Sequence, residues 1–145
     1  MKDIHSQFKR VVAIGAAALA ADNTPAAIDL RGFNAAEILL DIGVGGITFS
    51  GTNKIEFVLT HSDDDVTYDA VAAADIIGGS VATGGIIKAL TAAHAAAAVY
   101  RFGYKGGRRY LKLLADFSGT HGTGTPIAAS VLLAHGHDNP QPAQA

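Results

Sequence analysis

The strongest constraint on the fold is a stretch in which apolar and polar residues alternate, KIEFVLTH at positions 54–61. Ile55, Phe57 and Leu59 fall on one side of an extended chain, and the residues between them fall on the other. This period of two predicts a half-buried β-strand. The run Asp63-Asp64-Asp65 comes next and predicts a turn, because short carboxylate side chains bond nearby backbone N–H groups.

Similar segments recur along the chain and are separated by turn signals. The expected strands are 27–31, 37–42, 54–61, 66–73, 86–90, 99–104, 110–117 and 127–135. Gly106-Gly107 predicts a hairpin that joins 99–104 to 110–117. Two alanine-rich stretches, 11–21 and 91–98, are compatible with either strand or helix.

Eight or nine short strands without a sustained helical period predict an all-β fold, a single-domain antiparallel β-sandwich or a barrel. A chain of 145 residues fits one such domain. We expect the domain to span 11–137, with a flexible N-terminal arm at 1–10 and a disordered tail at 138–145. The expected inward residues are Ile38, Leu40, Ile55, Phe57, Leu59, Leu111, Leu113 and Phe117.

Composition excludes several classes of function. The chain has no cysteine, so it has neither disulfides nor a thiolate metal site. Its net charge of −2 and low charged fraction do not indicate a nucleic-acid surface. The longest apolar run, 11–21, is about half the roughly 20 residues that a membrane-spanning helix needs. We therefore expect neither nucleic acid nor a membrane as a partner.

Two groups of residues could hold a metal ion. Carboxylates such as those of Asp63-Asp64-Asp65 suit calcium, although their spacing does not match an EF-hand loop. His135 and His137 would share one face of a strand and could bind zinc, with His121 as a third ligand. A solvated turn and solvated histidines are the simpler interpretations, and we expect no metal. The other histidines show no partner pattern: His5, His61 and His94.

No motif predicts catalysis or a cofactor. The glycine-rich stretches 43–46 and 119–124 lack the Gly-Lys-Ser/Thr and the following helix of a phosphate-binding loop. Glu56 and Asp41 sit at outward positions of strands, as solvated carboxylates do. No nucleophile elbow is present. We expect no catalytic or cofactor-binding residues, no cofactor and no enzymatic activity.

Basic and aromatic residues alternate around the expected hairpin at Gly106-Gly107. They are Arg101, Lys105, Arg108, Arg109 and Lys112 with Tyr100, Tyr104 and Tyr110. Such a surface can stack nucleic-acid bases or form a protein interface. The negative net charge favours a protein contact over nucleic acid, and a plain solvated hairpin is an equally good interpretation.

Several segments in order resemble small proteins encoded in the structural gene clusters of tailed phages. The segments are AAIDLRGF at 26–33, KIEF at 54–57, HSDD at 61–64, GYKGGRRYL at 103–111 and FSGT at 117–120. The resemblance covers roughly residues 11–137. It departs from the family pattern at Asp65, where a glycine is expected.

The resemblance implies a jelly-roll-like β-sandwich and a role as a capsid cement or decoration protein. Such a protein would be made in the bacterial cytoplasm and would lie on the outside of the virion. Its expected partners are the major capsid protein and further copies of itself, as a dimer or trimer. Two alternatives remain open: a head-fibre or tail module that binds a cell-surface glycan, and a head–tail connector or tail protein. The resemblance brings no catalytic residues with it.

Overall fold

Extended segments dominate the computed structural model of the chain, which describes residues 3–144. Met1, Lys2 and Ala145, parts of the expected arm and tail, lie outside the described residues. The strands are β1 (Phe8–Leu19), β2 (Ile28–Asp29), β3 (Phe33–Ile42), β4 (Lys54–Ser62), β5 (Asp69–Ala70), β6 (Ile76–Ile77), β7 (Ile86–Leu90), β8 (Ala98–Tyr104), β9 (Tyr110–Ser118) and β10 (Thr125–Gly136). Two 3-10 helices cover His5–Gln7 and Ala73–Asp75.

The strands form two antiparallel sheets. Sheet A has the order β1-β10-β3-β8-β6, and sheet B has the order β2-β9-β4, with β5 and β7 both pairing with β4. Apart from the short β5 and β6, successive strands alternate between the sheets. The orders 1-10-3-8 and 2-9-4-7 are those of a jelly roll. The predicted all-β, jelly-roll-like sandwich is therefore confirmed.

The core lies between the two sheets and follows the alternation seen in the sequence. Of the eight residues predicted to point inward, seven are almost fully buried, and Phe117 is partly buried against the same cluster. Inward residues of β10 complete the cluster from sheet A: Ile127, Ala129, Val131 and Leu133. Side chains from both sheets meet in this layer, as in other sandwiches.

Two local predictions need correction, and the two stretches compatible with either strand or helix are resolved. The Gly106-Gly107 turn does not close a hairpin, because β8 belongs to sheet A and β9 to sheet B. The predicted strand 66–73 contains only the two-residue β5, because the aspartate turn extends to residue 68. The stretch 91–98 forms no helix, and 11–21 is mostly strand. In β1, pairing with β10 overrides the helix preference of alanine. Residues 91–97 form an exposed connection between β7 and β8.

The chain termini meet at one end of sheet A. β1 begins at Phe8, so the last three residues of the predicted arm 1–10 belong to sheet A. These residues pair with the end of β10, from Ala134 to Leu132. From the C-terminal segment, the side-chain amide of Gln144 accepts from the backbone N–H of Arg10 at 2.7 Å and donates to its carbonyl at 3.0 Å.

Two long glycine-rich loops, 43–53 and 119–124, pack against each other at the end of the sandwich opposite the chain termini. The backbone N–H of Gly46 donates to Thr125 Oγ1 at 3.0 Å, and that of Thr120 donates to Asn53 Oδ1 at 3.0 Å. A Cβ at Gly46 would lie 2.0 Å from the carbonyl oxygen of Gly124. Only glycine allows the two backbones to come this close.

We expect Gly46→Ala to lower the free energy of unfolding by about 1–3 kcal/mol, because the added methyl group forces the packed loops apart. Gly51→Ala in the same loop is the control, since a Cβ there meets nothing within 4 Å. Urea unfolding measures both. Equal stability of the two variants would show that the loops do not pack as described.

Candidate functional site

A hydrogen bond joins the two sheets at the end opposite the packed glycine loops. His61 in β4 of sheet B and Tyr104 in β8 of sheet A are both buried, and His61 Nδ1 lies 2.9 Å from the Tyr104 hydroxyl. The hydroxyl accepts from the backbone N–H of Arg108 at 3.1 Å. Its own proton is therefore available to the imidazole, which accepts it as the neutral form.

The surroundings of His61 favour this neutral form. Burial lowers the imidazole pKa below its ordinary value of 6.5, and the positive charge of Arg108 lowers it further. Three carboxylates act in the opposite direction, those of Asp75, Asp69 and Asp63. Burial also raises the pKa of the Tyr104 hydroxyl. His61 and Tyr104 are thus two uncharged side chains that form a hydrogen bond between the sheets.

Two neighbouring arginines hold carboxylates beside this pair. Arg108 Nη1 donates to Asp69 at 2.6 Å, and its Nε lies 3.9 Å from a carboxylate oxygen of Asp63. Arg109 binds Asp29 through two parallel bonds of 3.0 and 2.8 Å. These bonds lower the pKa of Asp29 to about 2. The segment between β8 and β9 is therefore tied to β2 and to β5.

A groove of about 700 Å³ opens over this region, and we call it the basic groove. Its charged lining consists of Arg31, Lys105, Arg108, Arg109 and Asp63, with His137 beside them. Phe33, Ile77 and the ring of Tyr104 supply apolar lining. Within residues 3–144, Arg31 and Lys105 form no ion pair.

The basic and aromatic residues predicted to share one hairpin surface are in fact distributed over three surfaces. Lys105, Arg108 and Arg109 line the basic groove. Arg101 lies on the outer face of sheet A, 3.8 Å from Glu37. Lys112 belongs to sheet B and stacks 4.0 Å above the Tyr68 ring. The prediction was wrong because it rested on the hairpin that does not form.

The aspartate run forms a turn whose three carboxylates have separate partners. Asp64 accepts from the backbone N–H groups of Val66 and Thr67 and from Ser62 Oγ, which lowers its pKa to about 2. Asp65 accepts from the Tyr68 hydroxyl. Asp65 also has a φ of 59°, a conformation that glycine adopts freely and aspartate tolerates. This explains how aspartate can stand where the resemblance expects glycine.

The three histidines considered for zinc do not meet. His121 precedes β10, whereas His135 lies near its end and His137 just beyond it. At about 3.3 Å per residue, the strand from Thr125 to His135 spans roughly 30–35 Å. His137 Nε2 bonds Asn34 Oδ1 at 3.0 Å. His121 is buried beside Phe117 and donates from Nε2 to the Ser118 carbonyl, and its Nδ1 has no hydrogen-bond partner among residues 3–144. Residues 3–144 contain no cluster of three metal-ligating side chains.

The sequence pattern did not predict the roles of His61 and His94. His94 bonds the Gly43 carbonyl at 2.8 Å and the Tyr100 hydroxyl at 3.1 Å. For His61 a signal was present, because it continues the inward series of Ile55, Phe57 and Leu59. Side-chain hydrogen bonds of the described histidines go to tyrosine hydroxyls, carbonyls and one amide, and none joins a histidine to a serine or threonine hydroxyl.

Comparison with other proteins gave no match to a family model, to a curated protein or to a solved structure. None of the helices found between residues 3 and 144 is long and apolar enough to cross a lipid bilayer.

We expect acid to destabilise the fold through His61. In the unfolded chain the imidazole has its ordinary pKa of 6.5, and in the folded chain the pKa is lower. Between these two values the unfolded state binds more protons, so the free energy of unfolding falls as the pH drops below 6.5. Urea unfolding at a series of pH values measures this slope.

The matched variants are His61→Gln, which removes the titrating group, and His5→Gln at an exposed position. The first should flatten the slope, and the second should leave it unchanged. A slope in His61→Gln as steep as in the wild type would place the acid sensitivity elsewhere.

Proposed function

We propose that this protein is a capsid cement or decoration protein of a tailed phage, which binds the outer surface of the major capsid protein lattice and stabilises the head. The observation that carries the proposal is a group of exposed large apolar side chains on the outer face of one sheet of a jelly roll. The ordered resemblance of its segments to phage structural proteins supports the same assignment. The docking surface we propose is the outer face of sheet A.

That face exposes large apolar side chains from three strands. Val12 of β1, Ile77 of β6 and Val99 of β8 are 66%, 56% and 69% exposed. Leu39 and Leu132 lie between them at outward positions of β3 and β10 and are partly buried. Exposed apolar side chains grouped on one face indicate a candidate protein contact. Charged residues lie among them on the same face: Arg10, Glu37, Asp41 and Arg101.

Two shallow depressions shape the same face. One, of about 580 Å³, is lined by residues that include Phe8, Val12 and Ser130. The other, of about 450 Å³, is lined mainly by alanines together with Val99 and Pro126. Side chains of a neighbouring protein can enter such depressions, which increases the area buried in a contact.

The outer face of sheet B has no exposed large apolar side chain on its described strands. Lys54 and Glu56 form an ion pair at 2.8 Å, and Asp116 lies opposite Glu56 on β9. Lys112 projects from the same face and covers the ring of Tyr68. Charged residues that already have partners are typical of a solvated surface. Both outer faces therefore carry an ion pair, and the large exposed apolar side chains of the strands distinguish the face of sheet A.

The physics of a shell explains why such a contact stabilises it. Each decoration contact needs only the area of an ordinary interface, roughly 1,600 Å² in total. The assembled lattice presents several subunits at once, so binding to the shell is stronger than binding to a free subunit. Self-association as a dimer or trimer remains part of the proposal, and sedimentation equilibrium measures it.

A glycan-binding module is less well supported. Sugar sites use open aromatic faces, and three of the four tyrosines have a cation over the ring while the fourth, Tyr104, is buried. The three pairs are Lys88 over Tyr100 at 4.1 Å, Arg109 over Tyr110 at 4.7 Å and Lys112 over Tyr68 at 4.0 Å.

The test is to strip the protein from phage particles, add it back, and compare the temperature at which the heads rupture. The double variant Val12→Asp/Val99→Asp should re-bind at least about tenfold more weakly, because it places charges in the apolar contact. Particles incubated with it should rupture at the temperature of stripped particles.

The control is Thr60→Asp/Ser118→Asp, which adds the same charge to the outer face of sheet B. We expect it to re-bind as the wild type does. Loss of binding in the control but not in the sheet A variant would reverse the assignment of the face. Equal rupture temperatures with and without the wild-type protein would refute the cement role.

A further inference from the structure

We propose that the outer edge of β1 is a strand-pairing site for a second copy of this chain, and that the segment 138–144 covers it. β1 is the edge strand of sheet A, so among residues 3–144 one side of it has no neighbouring strand. A sheet edge presents backbone N–H and C=O groups, which another extended backbone satisfies. The inference concerns the purified protein by itself and does not depend on the capsid proposal.

Gln144 shows which backbone groups this edge presents. Its side-chain amide accepts from the Arg10 N–H at 2.7 Å and donates to the Arg10 carbonyl at 3.0 Å. A residue of a neighbouring antiparallel strand would form the same pair of bonds, so the amide imitates a peptide group. Both backbone groups of Arg10 therefore point away from β10. Pairing with β10 is regular from Phe8 to Val12, so these two residues present their backbone groups on the same side as Arg10.

The segment 138–144 is only lightly held over this edge. Its second contact is a bond from the Gln141 N–H to the Ser6 carbonyl at 2.9 Å. Apart from Gln141 its residues are exposed, and none of them belongs to the core of the described chain. Pro142 and Gln144 border a depression of about 580 Å³ beside β1, so the segment does not fill the space next to the strand. A pairing strand can displace a segment held in this way.

The regular part of the edge is complementary to itself. When an antiparallel copy is placed with Arg10 opposite Val12, the backbone groups of each residue meet those of the other. The same register places Val11 opposite Val11. It also keeps the two Arg10 side chains from lying directly opposite each other, where like charges destabilise a pair. The arrangement has a two-fold axis and joins the two A sheets into one, so a second copy completes it without any other partner.

The rest of β1 restricts pairing to this stretch. The register with β10 shifts between Val12 and Ile14 and again between Ile14 and Ala17. Bulges of this kind twist an edge away from a partner strand. Phe8–Val12 has neither a register shift nor a proline, and the charges of Lys9 and Arg10 are what opposes pairing there. The segment 138–144 therefore covers the part of β1 that is regular enough to pair.

The test compares the dissociation constant of the dimer for the full chain and for a variant that lacks 138–145, by sedimentation equilibrium. We expect the deletion to tighten the dimer at least about tenfold, because the edge groups of Arg10 no longer have to leave Gln144. Equal constants for the two proteins would overturn the inference. Species larger than a dimer would contradict pairing about a two-fold axis.

Two further variants, made in the deletion variant, locate the contact. Arg10→Pro removes an N–H that points away from β10, so it blocks edge pairing and leaves the ladder with β10 intact. Arg10→Ala loses the same side chain but keeps the N–H, and it should still dimerise. Equal dimerisation of these two variants, strong or weak, would contradict backbone pairing at Arg10.

Circular dichroism checks that each variant is folded. If Arg10→Pro unfolds, amide hydrogen exchange of the deletion variant replaces it. Exchange at Arg10 and Val12 should slow as the protein concentration rises, because the dimer protects these N–H groups. Exchange that does not depend on concentration would overturn the inference.

Discussion

The structure depends on burying one row of side chains from each of two sheets. β4 contributes Ile55, Phe57 and Leu59, and β9 contributes Leu111 and Leu113 from the same sheet. Opposite them lie the inward residues of β3 and β10. Each fully buried aliphatic or aromatic side chain contributes about 1.5–3 kcal/mol relative to an exposed one. Since the side-chain period is two, a shift of one residue would expose this whole row, so the register of the sheets is fixed.

Different kinds of contact close the two ends of the sandwich around this core. At one end the glycine-rich loops close over each other through backbone contacts, which Gly46 and Gly124 permit by lacking side chains. At the other end polar contacts hold the sheets together, with the bond between His61 and Tyr104 inside and the ion pairs of Arg108 and Arg109 outside. Between these ends the two sheets enclose the core.

The fold class and most of the core could be predicted from the sequence because alternation is a local signal. The partner of a strand is not a local property. Gly106-Gly107 has the sequence of a hairpin turn, but Tyr104 and Tyr110, on either side of the segment that contains it, belong to different sheets. The alanines at 91–98 favour helix by themselves, but residues 91–97 form an exposed connection in which His94 bonds the Gly43 carbonyl and the Tyr100 hydroxyl. The basic groove could not be predicted from the sequence, because Arg31 and Lys105 are far apart in sequence. They line the same groove only through the jelly-roll topology.

The outer face of sheet A is the central element of this account, and electron microscopy of intact decorated particles tests it most directly. The account predicts copies of the sandwich over the whole capsid lattice, with Val12 and Val99 turned toward the shell. A few copies at a single vertex, or a sandwich whose sheet A faces solvent while sheet B contacts the capsid, would contradict it.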